Sequence, residues 1–188
     1  HVEEIGGGVC QLSSTMYNAA INAGLQVDAR TGHSYEPSYV TPGEDATVSY
    51  SKPDFKFTNL SSAKIGIKVT FKDRVVTVTI YGIPVLEEGV TQYMDSKKIS
   101  TIPPEIEYVE DPTLEPGTEE VMENGSSGSV WETHLVQEKD GKVISDEYMH
   151  RTRYKTTKKV IRRNSEAPTE APVTEATTVA PTVAPTEA

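Results

Sequence analysis

The run at residues 6–24, GGGVCQLSSTMYNAAINAG, constrains the fold most, because it joins three glycines, the chain's only cysteine and an uncharged segment. Apolar residues recur there at three- and four-residue spacing, namely Leu12, Met16, Ala19, Ala20 and Ala23. This is the spacing of one buried helix face, and Gly24 stands where a helix would end in a left-handed turn. The pattern predicts one helix over residues 11–23, buried on several sides because it carries no charge.

Cys10 has two interpretations at the start of this helix. A thiol at a helix N-terminus lies among unpaired backbone N–H groups and at the positive end of the helix dipole, which favours the thiolate. The glycines allow a substrate carbonyl to approach, so that the backbone at Gly8, Cys10 and Gln11 is placed to stabilise an oxyanion. Free cysteines are also among the most buried residue types, so a structural cysteine beside a tight turn is the alternative.

The run resembles the VanW family, and so does the later segment HSYEPSYVTPGEDATVSYSKPDFKF; together they cover about residues 6–57. This family occurs in Gram-positive cell-envelope and glycopeptide-resistance contexts. The resemblance implies a cysteine L,D-transpeptidase acting on peptidoglycan, with Cys10 as nucleophile and His33 as its base. It also implies more chain before Cys10 than the nine residues present, so we expect a missing N-terminal part that would hold the targeting or anchoring segment.

Two residues accompany Cys10 in the predicted catalytic group. His33 lies in an extended loop, where it is either a solvent-exposed side chain or, given the resemblance, the general base. Asp45 follows a Pro-Gly turn and is the candidate to orient His33. An aspartate ahead of a strand is also a common turn or cap residue, so that alternative stays open.

Alternating segments predict the rest of the first domain. LQVDA reads as a short strand, and the segments KIGIKVTF at residues 64–71 and VVTVTIY at 75–81 read as a hairpin around KDR. We therefore expect residues 1–84 to form an α+β domain with one buried helix on a mostly antiparallel sheet.

Residues 85–164 are predicted to form a small all-β domain together with the segment that leads into it. From EYVEDP to VIRR the chain resembles the five-glycine, or G5, domain of bacterial surface proteins; the matching glycines are Gly117, Gly125, Gly128 and Gly141. The closing glycine of that pattern is replaced by Arg163-Asn164. Two alternating segments flank Asp140-Gly141, which is a strong two-residue hairpin turn.

The G5 resemblance implies contact with cell-wall glycan. Trp131 and Tyr148 are the candidates for stacking on sugar rings, and they fit equally well as side chains that fill the face of a small sheet. His134 and His150 have no third ligand beside them, so the sequence predicts no metal site and no cofactor.

The amino-acid composition argues against several other classes of protein. A formal net charge of -10 argues against a nucleic-acid partner, and the basic run at residues 151–163 fits the solvated face of an edge strand. The sequence shows no membrane segment, and one cysteine excludes an intramolecular disulfide. Residues 165–188 are rich in Thr, Pro, Ala and Glu, which predicts a disordered spacer.

The expected function is peptidoglycan cross-linking through a thioester on Cys10, by an extracellular protein held at the wall or anchored to the membrane. Its partners would be stem peptides and glycan. The alternative is a protein without catalytic activity, either an adaptor that binds wall glycan or an accessory factor in glycopeptide resistance. In that case the helix is structural and the β domain supplies adhesion.

Overall fold

The computed structural model describes residues 7–166. Its one helix in this range is α1, Val9–Asn22, which begins two residues before the predicted start. Gly24 has a φ of 71° and donates its N–H to the carbonyl of Ile21 at 2.9 Å, so the predicted stop is confirmed. The predicted spacer lies almost wholly outside the described residues.

The buried face of α1 differs from the predicted one. The buried residues are Ser13, Ser14, Tyr17, Ala20 and Ile21, whereas Leu12 of the predicted apolar face is 37% exposed. The face is rotated because both serines turn inward and bond to backbone groups of a neighbouring segment. A hydroxyl with a partner is buried at little cost, so apolar periodicity alone misplaced the face.

Strands β1, Gln26–Ala29, and β2, Lys56–Thr58, form an antiparallel pair. Strands β3, Gly66–Lys72, and β4, Val75–Tyr81, form the predicted hairpin, with Lys72 opposite Val75. The two turn residues between them, Asp73 and Arg74, both have positive φ. The order of these elements therefore follows the sequence-based expectation closely.

Residues 90–163 form two three-stranded sheets. The first has the order β5-β8-β9 and is antiparallel; its strands are β5, Val90–Ile102, β8, Gly128–Lys139, and β9, Lys142–Tyr154. The second has the order β6-β10-β7; its strands are β6, Ile106–Glu110, β7, Glu119–Glu123, and β10, Lys159–Arg163. Strand β10 runs parallel to β6 and antiparallel to β7. The turn at Asp140-Gly141 joins β8 to β9 as predicted.

The main core joins the two halves of the chain. Tyr17 and Ile21 of α1 pack with Ala46 and with Met94 of β5, and all four are buried. Partly buried apolar side chains surround them, among them Leu135 and Met149 on β8 and β9; Val27 and Phe55 complete this layer. The described residues thus form one helix with mostly antiparallel sheets, and this helix packs on β4 and β1 of the first half as well as on β5 of the second half.

The basic run at residues 151–163 does not lie on a single edge strand, because β10 is the central strand of its sheet. Several of its charges pair with acidic neighbours, among them Arg151 with Glu132 at 2.7 Å and Arg163 with Glu110 at 2.6 Å. Within residues 7–166, no helix is both long and apolar enough to span a membrane.

Candidate functional site

Cys10 is the second residue of α1, directly after Val9 and the N-cap residue Gly8. The first helical hydrogen bond runs from the N–H of Leu12 to the carbonyl of Gly8 at 3.0 Å. The N–H groups of Val9, Cys10 and Gln11 therefore precede the helix's own bonding pattern, at the positive end of its dipole. This is the arrangement expected for an oxyanion site around Gly8 and Gln11, and that role stays a prediction.

The half-buried thiol of Cys10 contacts the segment after Asp45. Its Sγ donates to the carbonyl of Val48 at 3.4 Å and lies 3.6 Å from the hydroxyl of Thr47. Partial burial alone raises the pKa of the Cys10 thiol. Hydrogen bonding with the Val48 backbone, Thr47 and His33, together with the charge on His33, outweighs burial, so the net pKa lies below its ordinary value.

Two serines fix the start of α1 against the same segment. Ser14 accepts the N–H of Ala46 at 3.0 Å and donates to the carbonyl of Cys10 at 2.8 Å. Ser13 donates to the carbonyl of Ala46 at 2.5 Å. Cys10 is thereby held at a set distance from Asp45, the residue before Ala46. The buried hydroxyls of both serines thus connect the start of α1 to the segment that contains Asp45.

His33 and Asp45 form a close pair. Oδ2 of Asp45 lies 2.6 Å from Nδ1 of His33 and also accepts the backbone N–H of His33 at 2.6 Å. Because an ionised carboxylate only accepts, the proton of a neutral His33 ring belongs on Nδ1. Nε2 then carries the lone pair that can accept a proton, which is the tautomer that a general base for Cys10 requires. The structure thus brings together Cys10, His33 and Asp45.

Tyr39 is a fourth polar group at this position. Its hydroxyl lies 3.2 Å from Nε2 of His33, and the two rings meet edge to face at a centroid distance of 6.1 Å. Burial raises the pKa of Tyr39, and the neighbouring Cys10 charge raises it further against a hydrogen bond from Ser14. With Nδ1 of His33 protonated, the Tyr39 hydroxyl donates to Nε2.

The carboxylate of Asp45 is fully buried and has partners on both oxygens. Oδ1 accepts from the guanidinium of Arg30 at 3.0 Å and from the hydroxyl of Tyr154. Burial by itself raises the pKa of Asp45. The hydrogen bonds from Tyr154 and His33 and the charge of Arg30 more than offset this, so the pKa is lowered and Asp45 stays ionised.

Sequence reasoning missed five contributors to this cluster; they are Ser14, Arg30, Tyr39, Thr47 and Tyr154. Arg30 carried a weak signal, since it is the only arginine among the first 73 residues and stands three positions before His33. Tyr154 carried none, because it is 109 positions away from Asp45 in the chain. Its place in the site depends on tertiary structure alone.

Comparisons with known proteins assign both halves of the chain. Residues 1–81 match the family described as VanW like protein, and residues 94–166 match the G5 domain. The chain therefore carries a VanW-like domain followed by a G5 domain. This confirms both resemblances and their order. The pair of domains suggests a protein associated with the cell wall.

One relative is the uncharacterized protein YoaR of Bacillus subtilis strain 168, which is 40% identical over 104 residues. The match covers 55% of this chain and only 34% of YoaR, so the chain spans about a third of that relative's length. Two solved structures match part of the chain, each at 17% identity and a TM-score of 0.28. They are HP0197-G5, with 40% of this chain and 97% of that structure covered, and the IgA1 protease G5 domain, with 43% and 96%.

The aromatic candidates of the G5 domain do not form one platform. Trp131 is opposite Thr152 and Tyr148 is opposite His134 in the sheet. Trp131 and His134 are three positions apart on β8, so their side chains point to opposite faces. Trp131 donates its indole N–H to Glu36 at 2.7 Å, whereas Tyr148 is 59% exposed beside His134. The two rings therefore cannot stack on the same sugar, and a glycan role for either one stays a prediction.

A sizeable cavity of the described region lies away from Cys10. It has a volume of about 590 Å³ and opens between the C-terminal end of α1, the base of the β3–β4 hairpin and residues 82–90. It is lined by apolar side chains such as Leu25, Ile80 and Val85, and none of the catalytic candidates reaches it. This cavity and the reactive groups lie in different places, and the reactive groups identify the candidate site.

Proposed function

We propose that the protein is a cysteine L,D-transpeptidase that acts on peptidoglycan stem peptides outside the cell, at the wall. The observation that supports this is the position of Cys10, at the N-terminus of α1 and beside a histidine that is bonded to a buried carboxylate. A thiol, a base and an orienting acid in this relation form the general arrangement for nucleophilic acyl transfer. The VanW-like match is consistent with this chemistry.

Acylation would begin when Nε2 of His33 takes the proton of Cys10 and the sulfur attacks a stem-peptide carbonyl. The backbone N–H groups at the start of α1, those of Cys10 and Gln11, would stabilise the oxyanion of the tetrahedral intermediate. The carbonyl re-forms as the bond to the terminal residue breaks, and His33 returns the proton to the leaving amine. The products are a thioester on Cys10 and the released terminal residue.

Deacylation would transfer the acyl group to an amine of a neighbouring stem. His33 accepts a proton from the attacking amine, the new amide forms, and the proton returns to the departing sulfur. A thioester suits this step because it is more reactive towards amines than an amide is. Asp45 remains ionised throughout and holds the imidazole in the required tautomer.

The G5 domain favours an additional role in binding. G5 domains are associated with binding of cell-wall components, and this one exposes Tyr148. Retention of the protein on purified wall glycan would support such a role, and equal retention of the Cys10→Ser variant would separate binding from chemistry. Without any acyl transfer, the protein would be the adaptor or resistance accessory factor described above.

The proposed chemistry is tested by mass spectrometry of the intact protein after incubation with a synthetic stem peptide. We expect the wild-type protein to gain the mass of the peptide minus its terminal residue, and we expect an added acceptor amine to remove that mass. Cys10→Ser should show no adduct while its circular dichroism spectrum stays unchanged. A wild-type protein that releases the terminal residue as fast as Cys10→Ser does would contradict the catalytic proposal.

A further inference from the structure

The carboxylate of Asp45, which pairs with His33, accepts a hydrogen bond from the G5 domain. Tyr154, at the end of β9, is fully buried. Its hydroxyl donates to Oδ1 of Asp45 at 2.5 Å and accepts the N–H of Gly43 at 2.7 Å. Gly43 has a φ of 96°, and a Cβ there would lie 2.6 Å from the hydroxyl of Thr133 on β8, so the turn fits closely against the G5 sheet.

The loop that carries His33 is attached to the same sheet at two further points. The N–H of Lys155 donates to the carbonyl of Ser34 at 2.7 Å. Glu36 accepts hydrogen bonds from the indole of Trp131 and from the hydroxyl of Ser129. The loop is thus bonded to the G5 domain at Ser34 and Glu36, one and three positions after His33.

Arg30 links the same groups from the VanW-like side. Its guanidinium bonds to Oδ1 of Asp45 at 3.0 Å, to the carbonyl of Gly43 at 2.9 Å and to the hydroxyl of Thr152 on β9 at 3.1 Å. Tyr154 and Arg30 therefore share Oδ1 of the carboxylate. The other oxygen, Oδ2, is left to the two N–H groups of His33.

We propose that Tyr154 of the G5 domain is a positioning residue for the catalytic base: it holds Oδ1 of Asp45 so that Oδ2 faces His33. The two domains would then form one active site, with the nucleophile on one and part of the support for the base on the other. Replacing the Tyr154 hydroxyl leaves a buried carboxylate oxygen and the Gly43 N–H each short of a partner. The carboxylate would turn towards Arg30 and its hold on Nδ1 of His33 would weaken.

The titratable and charged groups around this carboxylate come from every element packed on it. They are Cys10 and Tyr17 on α1, Arg30 after β1, His33, Tyr39 and Glu44 in the following loop, and His150 and Tyr154 on β9. Of these, His33 is the group that the proposal couples to Cys10. Its removal must therefore abolish any effect of Tyr154 on the thiol.

The test is the pH dependence of Cys10 alkylation in the whole protein, compared between Tyr154→Phe and wild type. Loss of the hydroxyl should move the profile to higher pH by about half a unit to one unit, which slows labelling roughly three- to tenfold below the thiol pKa. Tyr108→Phe, which changes an exposed tyrosine on β6 of the other sheet, is the matched control and should leave the profile unchanged. Ile161→Val, a change in the distant β10, should lower stability without moving the profile.

In the His33→Ala background, the second change to Tyr154→Phe should have no further effect on the profile. An equal shift with and without His33 would overturn the proposal, because Tyr154 would then act on the thiol by another route. The proposal would also be overturned if the wild-type protein labels fast and the Tyr154→Phe profile coincides with the wild-type profile. A wild type that labels like an ordinary thiol would instead contradict the proposed function on which this inference depends.

If Tyr154→Phe does not fold, a ring-fluorinated tyrosine at position 154 keeps both the shape and the hydroxyl. Its fluorine NMR signal should change with pH in the protein that retains His33, and this change should vanish in His33→Ala. A signal with the same pH dependence in both proteins would overturn the proposal.

Discussion

At the scale of single residues, hydrogen bonds decide whether burial raises the pKa of a carboxyl group. Asp45 is more deeply buried than Glu44, yet its pKa is lowered, because both of its oxygens accept hydrogen bonds. Burial raises the pKa of Glu44 to about 7, since a single hydrogen bond from Ser96 does not offset burial and the charge of Asp95 adds to it. The pKa values of two adjacent carboxyl groups thus shift in opposite directions, because Asp45 accepts more hydrogen bonds than Glu44 does.

The raised pKa of Glu44 predicts a pH-dependent stability. The folded value of about 7 lies above the ordinary 4.5, so the stabilising contribution is complete below about pH 4.5 and is lost as pH rises through 7. Glu44→Gln removes this dependence. Relative to wild type, the variant should gain roughly 1–3 kcal/mol in unfolding free energy between pH 5 and pH 8, with partial exposure limiting the gain.

Urea unfolding at the two pH values measures this change, with the exposed Glu88→Gln as control. The same pH dependence in Glu44→Gln and wild type would mean that Glu44 is ionised without penalty.

At the scale of elements, the hairpin turns differ in how well their residues suit them. In the β3–β4 turn, Asp73 and Arg74 have φ values of 53° and 63°, and in the β8–β9 turn Asp140 and Gly141 have 51° and 73°. Both turns place two residues in the left-handed region, which suits glycine at the second position. Arg74 therefore occupies a position that costs backbone energy.

We expect Arg74→Gly to raise the unfolding free energy by about 0.5–1 kcal/mol, because it relieves a left-handed conformation at a non-glycine residue. The reverse change, Gly141→Ala, should lower the unfolding free energy by a similar amount. Thermal and urea unfolding of both variants check the pair. A destabilised Arg74→Gly would show that the arginine side chain contributes more than its backbone costs.

Elements were predictable where local pattern determines them. The hairpin at residues 64–81 and the stop of α1 at Gly24 follow from alternation and turn chemistry, and the structure has them. The buried face of α1 was misjudged because Ser13 and Ser14 are buried through hydrogen bonds to a segment more than 30 positions away. The apolar periodicity of the helix sequence carries no information about hydrogen-bond partners that are distant in the chain.

At the scale of the whole molecule, the two domains share a core and a polar cluster. Tyr17 and Ile21 of the VanW-like domain pack with Met94, and Arg30 and Asp45 bond to Thr152 and Tyr154 of the G5 domain; the shared core is completed by Ala46. The sequence predicted two successive domains and three catalytic candidates. It did not predict that the second domain supports the first, because that contact depends on how distant strands pair and dock.

The central claim is that Cys10 is a thiol activated by His33, and the pH dependence of its alkylation by iodoacetamide tests this most directly. His134→Ala is the matched control, because His134 pairs with Asp146 at 2.6 Å, the same distance as His33 with Asp45, but lies outside the site. We predict a wild-type profile centred below that of an unperturbed thiol, unchanged in His134→Ala. His33→Ala should shift it to higher pH while slow labelling persists at high pH. Identical profiles in wild type and His33→Ala would contradict the account.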